Sequence, residues 1–218
     1  MDKKEIQKRR MMSYFIEATN QIIEDEGIEA VTIRKVADIA GYNSATLYNY
    51  FSDLEHLVFY ASLKYLKEYA LDLPNYVKGA NGPLEKYLAI WRCFCFYSFS
   101  NPRIYQTIFF NKYSDSLSDA LEEYYTIFPE ELGEQAEDML PMLLKRNIYE
   151  RNIAALRSCV KDKFINEDAI EDINEMILLI YQGMFSRIIN MQIEYPIEEA
   201  VEKTLKYITK TIIGYSRL

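Results

Sequence analysis

The sequence predicts an all-α chain. Gly and Pro are scarce, 7 and 6 among 218 residues, while Leu, Ile, Glu, Lys, Met and Tyr recur at helical spacing. No convincing strand and no internal repeat interrupts that pattern. The length suits one large domain or two small ones, and a chain 50% hydrophobic and 27% charged has the composition of a soluble, folded protein.

Taken in order, the first element is a helix from Lys3 to about Glu26, with Ile6, Phe15, Ala18, Ile22 and Ile23 on an apolar stripe. Gly27 closes it. "IRKVADIA" is a short second helix, N-capped by Thr32, with Ile33, Val36, Ala37 and Ala40 facing inward. Gly41 breaks it, and Asn43 caps a third helix from Ser44 to Phe51. "SDLE" then has the form of a capping box, with Ser52 as N-cap and Glu55 three residues on. It opens a longer helix through Leu57, Tyr60, Leu63 and Leu66 towards Leu73 and Pro74.

The run "PNYVKGANGP", residues 74–83, reads as a linker. Helices follow at 84–99, 103–111, 114–128 and 138–159. The most regular are Glu167–Gln192, carrying Ile173, Ile177, Ile180 and Met184, and Ile197–Tyr215, carrying Val201, Leu205, Ile208 and Ile212. Their apolar stripes are wider than one packing face needs, so these eight residues are the expected dimer interface.

Two short helices joined by a tight Gly-containing turn form a helix-turn-helix, whose second helix enters the DNA major groove. The stretch "AGYNSATLYNYF", residues 40–51, fits that role because it carries no charge. Hydroxyls and amides bond to phosphates and read base edges, whereas carboxylates there would repel the phosphate backbone. The net charge of −8 counts against nucleic-acid binding. Local placement matters more at close range, however, and residues 3–10 hold five basic side chains. That arm is read either as DNA-contacting or as a solvated tail.

The segment "TIRKVADIAGYNSATLYNYFSDLEHL" resembles the N-terminal signature of TetR-family transcriptional regulators. Thr32, Arg34, Ala37, Ala40, Gly41, Thr46, Leu47, Tyr48, Phe51, Glu55 and Leu57 match it in register, over about the first quarter of the chain. The resemblance implies an N-terminal three-helix DNA-binding domain, residues 1–52. It also implies a helical effector-binding and dimerisation domain, residues 53–218. A homodimer on a palindromic, double-stranded operator is expected, acting as a repressor that a small molecule releases.

Carried over by position, Thr32 and Arg34 meet phosphate, and Ser44, Ala45, Thr46 and Asn49 face the bases, Asn49 being the best adenine reader. Tyr48 and Tyr50 donate to phosphates, although either could instead be a core aromatic. The resemblance breaks at Leu54, where the family has a phosphate-gripping Lys. Flanked by Asp53 and Glu55, Leu54 makes a weaker or differently placed phosphate contact the expectation.

The aromatic-rich stretch 91–113 is either a core built from large side chains or the wall of a cavity for an apolar or planar ligand. Trp91, Phe94, Tyr97, Tyr105, Phe109 and Tyr113 are its candidate lining residues, with Arg92, Arg103 or tyrosine hydroxyls as polar partners. If the stretch is core only, the chain is a helical regulator or interaction protein with no small-molecule effector.

A single histidine, His56, read as a surface residue, leaves no constellation for catalysis. The cysteines at 93, 95 and 159 lack a metal-ligand spacing and suit a reducing cytoplasm. No cofactor, metal, catalytic residue or membrane span is expected, because Arg, Pro and Gln interrupt the most apolar windows.

Overall fold

The computed structural model describes residues 2–131, 140–161 and 164–216. Its first helix, α1 (Lys3–Glu26), buries Met12, Phe15, Ile16, Thr19, Ile22 and Ile23 on one stripe, as returns every three or four residues require. Helix α2 (Ile33–Ala40) starts where the Thr32 hydroxyl accepts from the Lys35 N–H at 3.3 Å. Gly41 ends it in the left-handed region, at φ 77°. A Cβ at that position would meet nothing within 4 Å, so glycine answers to the dihedral and not to crowding.

Asn43 opens α3 (Ser44–Leu47), its Oδ1 accepting from the Thr46 N–H at 2.9 Å. The helix expected as far as Phe51 is regular only to Leu47. Beyond it the N–H groups of Asn49 and Tyr50 bond three residues back, so the coil tightens without changing hand. Helix α4 (Leu54–Ser62) is capped by Asp53 and not by the expected Ser52: Asp53 Oδ1 accepts from the His56 N–H at 2.8 Å. The Ser52 N–H donates to His56 Nδ1 at 3.1 Å, so the capping motif sits one residue later, with His56 in the role expected of Glu55.

The long helix expected from Asp53 is interrupted by a 3-10 turn at Leu63–Tyr65 before α5 (Leu66–Val77) resumes through Pro74. The Ser62 hydroxyl bonds back to the Val58 carbonyl at 2.7 Å, a contact that competes with the helical ladder and bends it. The linker expected at 74–83 therefore shortens to 78–82. It leads to α6 (Pro83–Ser100), α7 (Pro102–Phe109) and α8 (Leu117–Ile127), the last preceded by a 3-10 turn at Ser114–Ser116.

The helix expected over 138–159 begins outside the described residues. Within them it divides into α9 (Leu140–Leu143) and α10 (Ile148–Lys161), because Asn147 Oδ1 accepts from the Glu150 N–H at 3.0 Å and starts a new helix. The two regular C-terminal helices are α11 (Ile170–Ile189) and α12 (Ile197–Gly214). Among the described residues the only strand-like pairing is one bridge between Ile165 and Ser216. The all-α reading holds.

Packing divides the chain into two compact units, residues 1–67 with 103–133 and residues 68–102 with 134–218. That division differs from the expected boundary at 52/53. In the first unit α1 is the hub on which α2, α4 and α8 pack. Glu123 of α8 ties the helices together, accepting from Lys8 Nζ at 2.6 Å and from the Tyr60 hydroxyl at 2.5 Å. Lys8 is thus held by its own chain and does not belong to a frayed tail.

In the second unit α6 packs on α10, α11 and α12, and α11 packs on α10 and α12. Of the expected dimer residues, Ile173, Ile177, Met184, Val201, Leu205, Ile208 and Ile212 are buried inside this unit, and Ile180 is half-buried. The stripe on α11 is wide because one helix meets three others. On α11 and α12 the exposed large apolar side chains are Met176, Leu179, Tyr207 and Ile213.

Candidate nucleic-acid interface and effector cavity

Ala45, Tyr48 and Asn49 stand at i, i+3 and i+4 of α3 and its tightened continuation, so they share a face. All three are exposed, Tyr48 by 54% of its surface. Leu47 points the other way and is fully buried. Ser44 and Thr46 are half-buried, and the Thr46 hydroxyl donates to Asn43 Oδ1 at 3.0 Å. Tyr50 is half-buried with its ring 6.2 Å from that of Phe15, so it faces inward more than Tyr48 does. Thr32 and Arg34, at the start of α2, are exposed.

Residues 1–52 hold seven of the 25 basic and eight of the 33 acidic side chains. This segment is close to neutral, and most of the negative charge lies elsewhere in the chain. Of the expected readers and phosphate donors, Ala45, Tyr48 and Asn49 share one uncharged, exposed face beside the Asn43 cap. Tyr42 stacks on Tyr14 at 6.1 Å, both partly exposed. This pair flanks the Asn43 cap, and the spacing of 28 residues hid it from a local reading of sequence.

The α4 start is more crowded than its sequence suggests. Asp53 Oδ2 accepts from Lys112 Nζ at 2.7 Å and from the Tyr113 hydroxyl at 3.0 Å, and Lys112 also reaches Glu55 at 3.2 Å. The Lys112 hydrogen bond leads the causes that pull the Asp53 carboxyl down to about 2. His56, expected on the surface, is half-buried, stacked on Tyr113 at 4.5 Å and edge-on to Tyr60 at 5.1 Å. Burial lowers its pKa, against the raising influence of Asp53.

Among the expected cavity residues, Trp91 and Phe94 line a space of about 30 Å³ together with Tyr69, Met142, Arg151 and Asn152. Trp91 Nε1 donates to Asn152 Oδ1 at 2.9 Å, the Tyr87 hydroxyl donates to the same oxygen at 2.7 Å, and Asn152 Nδ2 donates to Asn174 Oδ1 at 2.7 Å. Tyr97 is half-buried and donates to Asp72 at 3.1 Å. Tyr105, Phe109 and Tyr113 belong to the other compact unit, where Tyr105 and Phe109 are core and Tyr113 stacks on His56.

Neither arginine expected as a polar partner lines the space: Arg92 pairs with Glu202 and Arg103 with Glu29 on the surface. Arg151, overlooked in the sequence because it sits in an ordinary amphipathic pattern, is the charged lining residue. The three cysteines are buried. Among the described residues no cluster of metal-ligating side chains occurs, and no helix is long and apolar enough to cross a membrane.

The family model for bacterial regulatory proteins of the tetR family matches residues 15–61. The HTH-type transcriptional regulator HbdR of Aromatoleum sp. (strain CIB) is 26% identical over 91 residues, 41% of this chain. The matched region spans 39% of that regulator's length. RolR in complex with resorcinol superposes with a TM-score of 0.59 at 14% identity, over 97% of this chain and 96% of its own. A TetR transcription regulator from Haloarcula marismortui ATCC 43049 gives 0.54 at 15% identity, over 95% and 99%. At such identities the likeness establishes the fold. The family is one of bacterial regulatory proteins, and HbdR and the Haloarcula marismortui protein are transcription regulators. With the motif in register and the family model on residues 15–61, the N-terminal segment is similar to the DNA-binding region of the tetR family, and the whole chain shares its fold with solved structures that include a TetR regulator.

Proposed function

We propose that the protein acts in the cytoplasm as a homodimeric repressor that binds a palindromic operator through α3 and is released by a small aromatic ligand. The observation that carries the DNA-binding part is the uncharged, exposed face of Ala45, Tyr48 and Asn49 on a helix capped by Asn43. Asn49 pairs bidentately with a base edge and Tyr48 donates to a phosphate. A two-fold dimer would set its two α3 helices about 34–36 Å apart, one turn of DNA, or a multiple of that.

The surface that supports dimerisation is a groove of about 570 Å³ on α11 and α12, lined by Met176, Leu179, Ile180, Gly183, Tyr207 and Thr211. Space lies open above Gly183, which lets a second helix approach closely. Burying these side chains against a second copy removes apolar area from water.

For the ligand, the best-supported site is the space between Trp91 and Phe94, with Arg151 and Asn152 as polar partners. At about 30 Å³ it holds on the order of two waters, so a ligand must select a more open conformer. The resorcinol complex of RolR supports small hydroxylated aromatics as the first class to try. The helical run from α4 into α5, broken at Leu63–Tyr65, is one covalent route from the first unit to the second and the proposed transmitter. A ligand-bound form that kept its operator affinity would remove that role.

A second reading keeps DNA binding and drops the effector. The small volume of the space and its internally bonded Trp91–Tyr87–Asn152–Asn174 network favour it. Thermal shift with a panel of small phenols separates the two. A raised Tm with weakened DNA binding supports the ligand switch, whereas no change in either supports the second reading.

A further inference from the structure

Asp53 and Glu55 follow the DNA-facing segment by only a few residues, where two carboxylates would push a polyanion away. The fold answers this with a lysine from 59 residues further along. Lys112 Nζ lies 2.7 Å from Asp53 Oδ2 and 3.2 Å from Glu55 Oε2. Its turn is braced by hydrogen bonds. Asn111 Oδ1 accepts from the Tyr113 N–H at 2.7 Å, the Ser114 hydroxyl bonds the Asn111 carbonyl, and the Tyr113 hydroxyl anchors the turn on Asp53. An ammonium group carries three N–H donors, and the carboxylates take two. The Lys112 side chain remains 55% exposed, with Nζ also lying 5.1 Å from the Tyr113 ring centroid.

We propose that Lys112, in the turn between α7 and α8, is part of the DNA-contacting surface: it offsets the Asp53–Glu55 pair and gives its third donor to a backbone phosphate. The inference rests on the DNA-binding reading and adds to it a segment far outside the helix-turn-helix. Any movement of the α7–α8 turn then changes the charge that DNA meets at the start of α4.

The test is fluorescence anisotropy of the full-length protein on a labelled duplex of random sequence, titrated across a salt series, because phosphate contacts act regardless of sequence. Lys112→Gln is expected to weaken binding about ten- to hundredfold and to lower the slope of log K against log salt by about 1. Lys112→Arg is expected to keep the slope, and the thermal midpoint of each variant shows that the fold persists. A Lys112→Gln slope equal to that of the wild type overturns the inference and leaves DNA binding intact. A wild type without salt-dependent binding overturns the DNA-binding reading and the inference with it.

Discussion

Leu179 offers the sharpest test of how two copies of this chain meet. It lies on α11 with 62% of its surface exposed, beside Met176 and Gly183 in the groove shared with α12. Fully burying a leucine contributes about 1.5–3 kcal/mol, so the exposed share leaves about 1–2 kcal/mol for a partner. A two-fold interface uses the residue twice, giving about 2–4 kcal/mol per dimer. Leu179→Asp should therefore raise the dimer dissociation constant by about 30- to 1,000-fold, before the cost of a carboxylate in an apolar seam is added. Sedimentation equilibrium over a concentration series reads this directly. Ile177, two residues earlier and fully buried, is the contrast: Ile177→Ala should cost about 2–5 kcal/mol of folding stability. If Leu179→Asp stays folded and dimerises as tightly as the wild type, the groove on α11 and α12 is not the interface.

Three further outcomes are expected. Asn43→Ala removes the acceptor for the Thr46 N–H and hydroxyl and should cost about 1 kcal/mol, with weaker DNA binding in anisotropy; unchanged stability would deny the cap its role. Asn152→Ala takes the shared acceptor from Trp91 and Tyr87 and should cost about 1–3 kcal/mol in urea unfolding. A loss below about 0.5 kcal/mol would mean that the network relaxes freely. His56 has a pKa held below its ordinary 6.5, chiefly by burial, so the unfolded chain binds its proton first as pH falls. Stability then declines from about pH 6.5 downward until the folded pKa is passed. His56→Asn keeps an acceptor for the Ser52 N–H without titrating. Its Tm should vary less over that window, and parallel profiles would contradict the linkage.

Local signals carried much of the fold. Thr32, Gly41 and Asn43 are short-range devices, whose partners lie within four residues, and each does what its residue type implies. The rest turned on local bonds that residue type alone does not choose between. Ser52 and Asp53 are both competent caps, and a bond from the Ser52 N–H to His56 Nδ1 accompanies the choice of Asp53. The broken helix at Leu63–Tyr65 follows a serine bonding back to Val58, which no periodicity records.

The candidate sites divide as well. Asn49 and Tyr48 were legible because one helix turn sets their common face. Ile177 and Leu179 differ by only two positions on one apolar helix, and which of them is core depends on where α6, α10 and α12 pack. Lys112 joins Asp53 only through tertiary structure. Arg151 enters the cavity lining for the same reason, while Tyr105 and Phe109, close to Trp91 in sequence, fold into the other unit.

Binding of labelled DNA from the region upstream of the protein's own gene, followed by anisotropy in the presence of excess competitor DNA, tests the central claim most directly. Tight binding that resists competitor, falls steeply with salt and is weakened by about 1–3 kcal/mol in Asn49→Ala is the predicted result. If neither this fragment nor a randomised pool binds at low salt, α3 is not a recognition helix and the DNA-binding account is wrong.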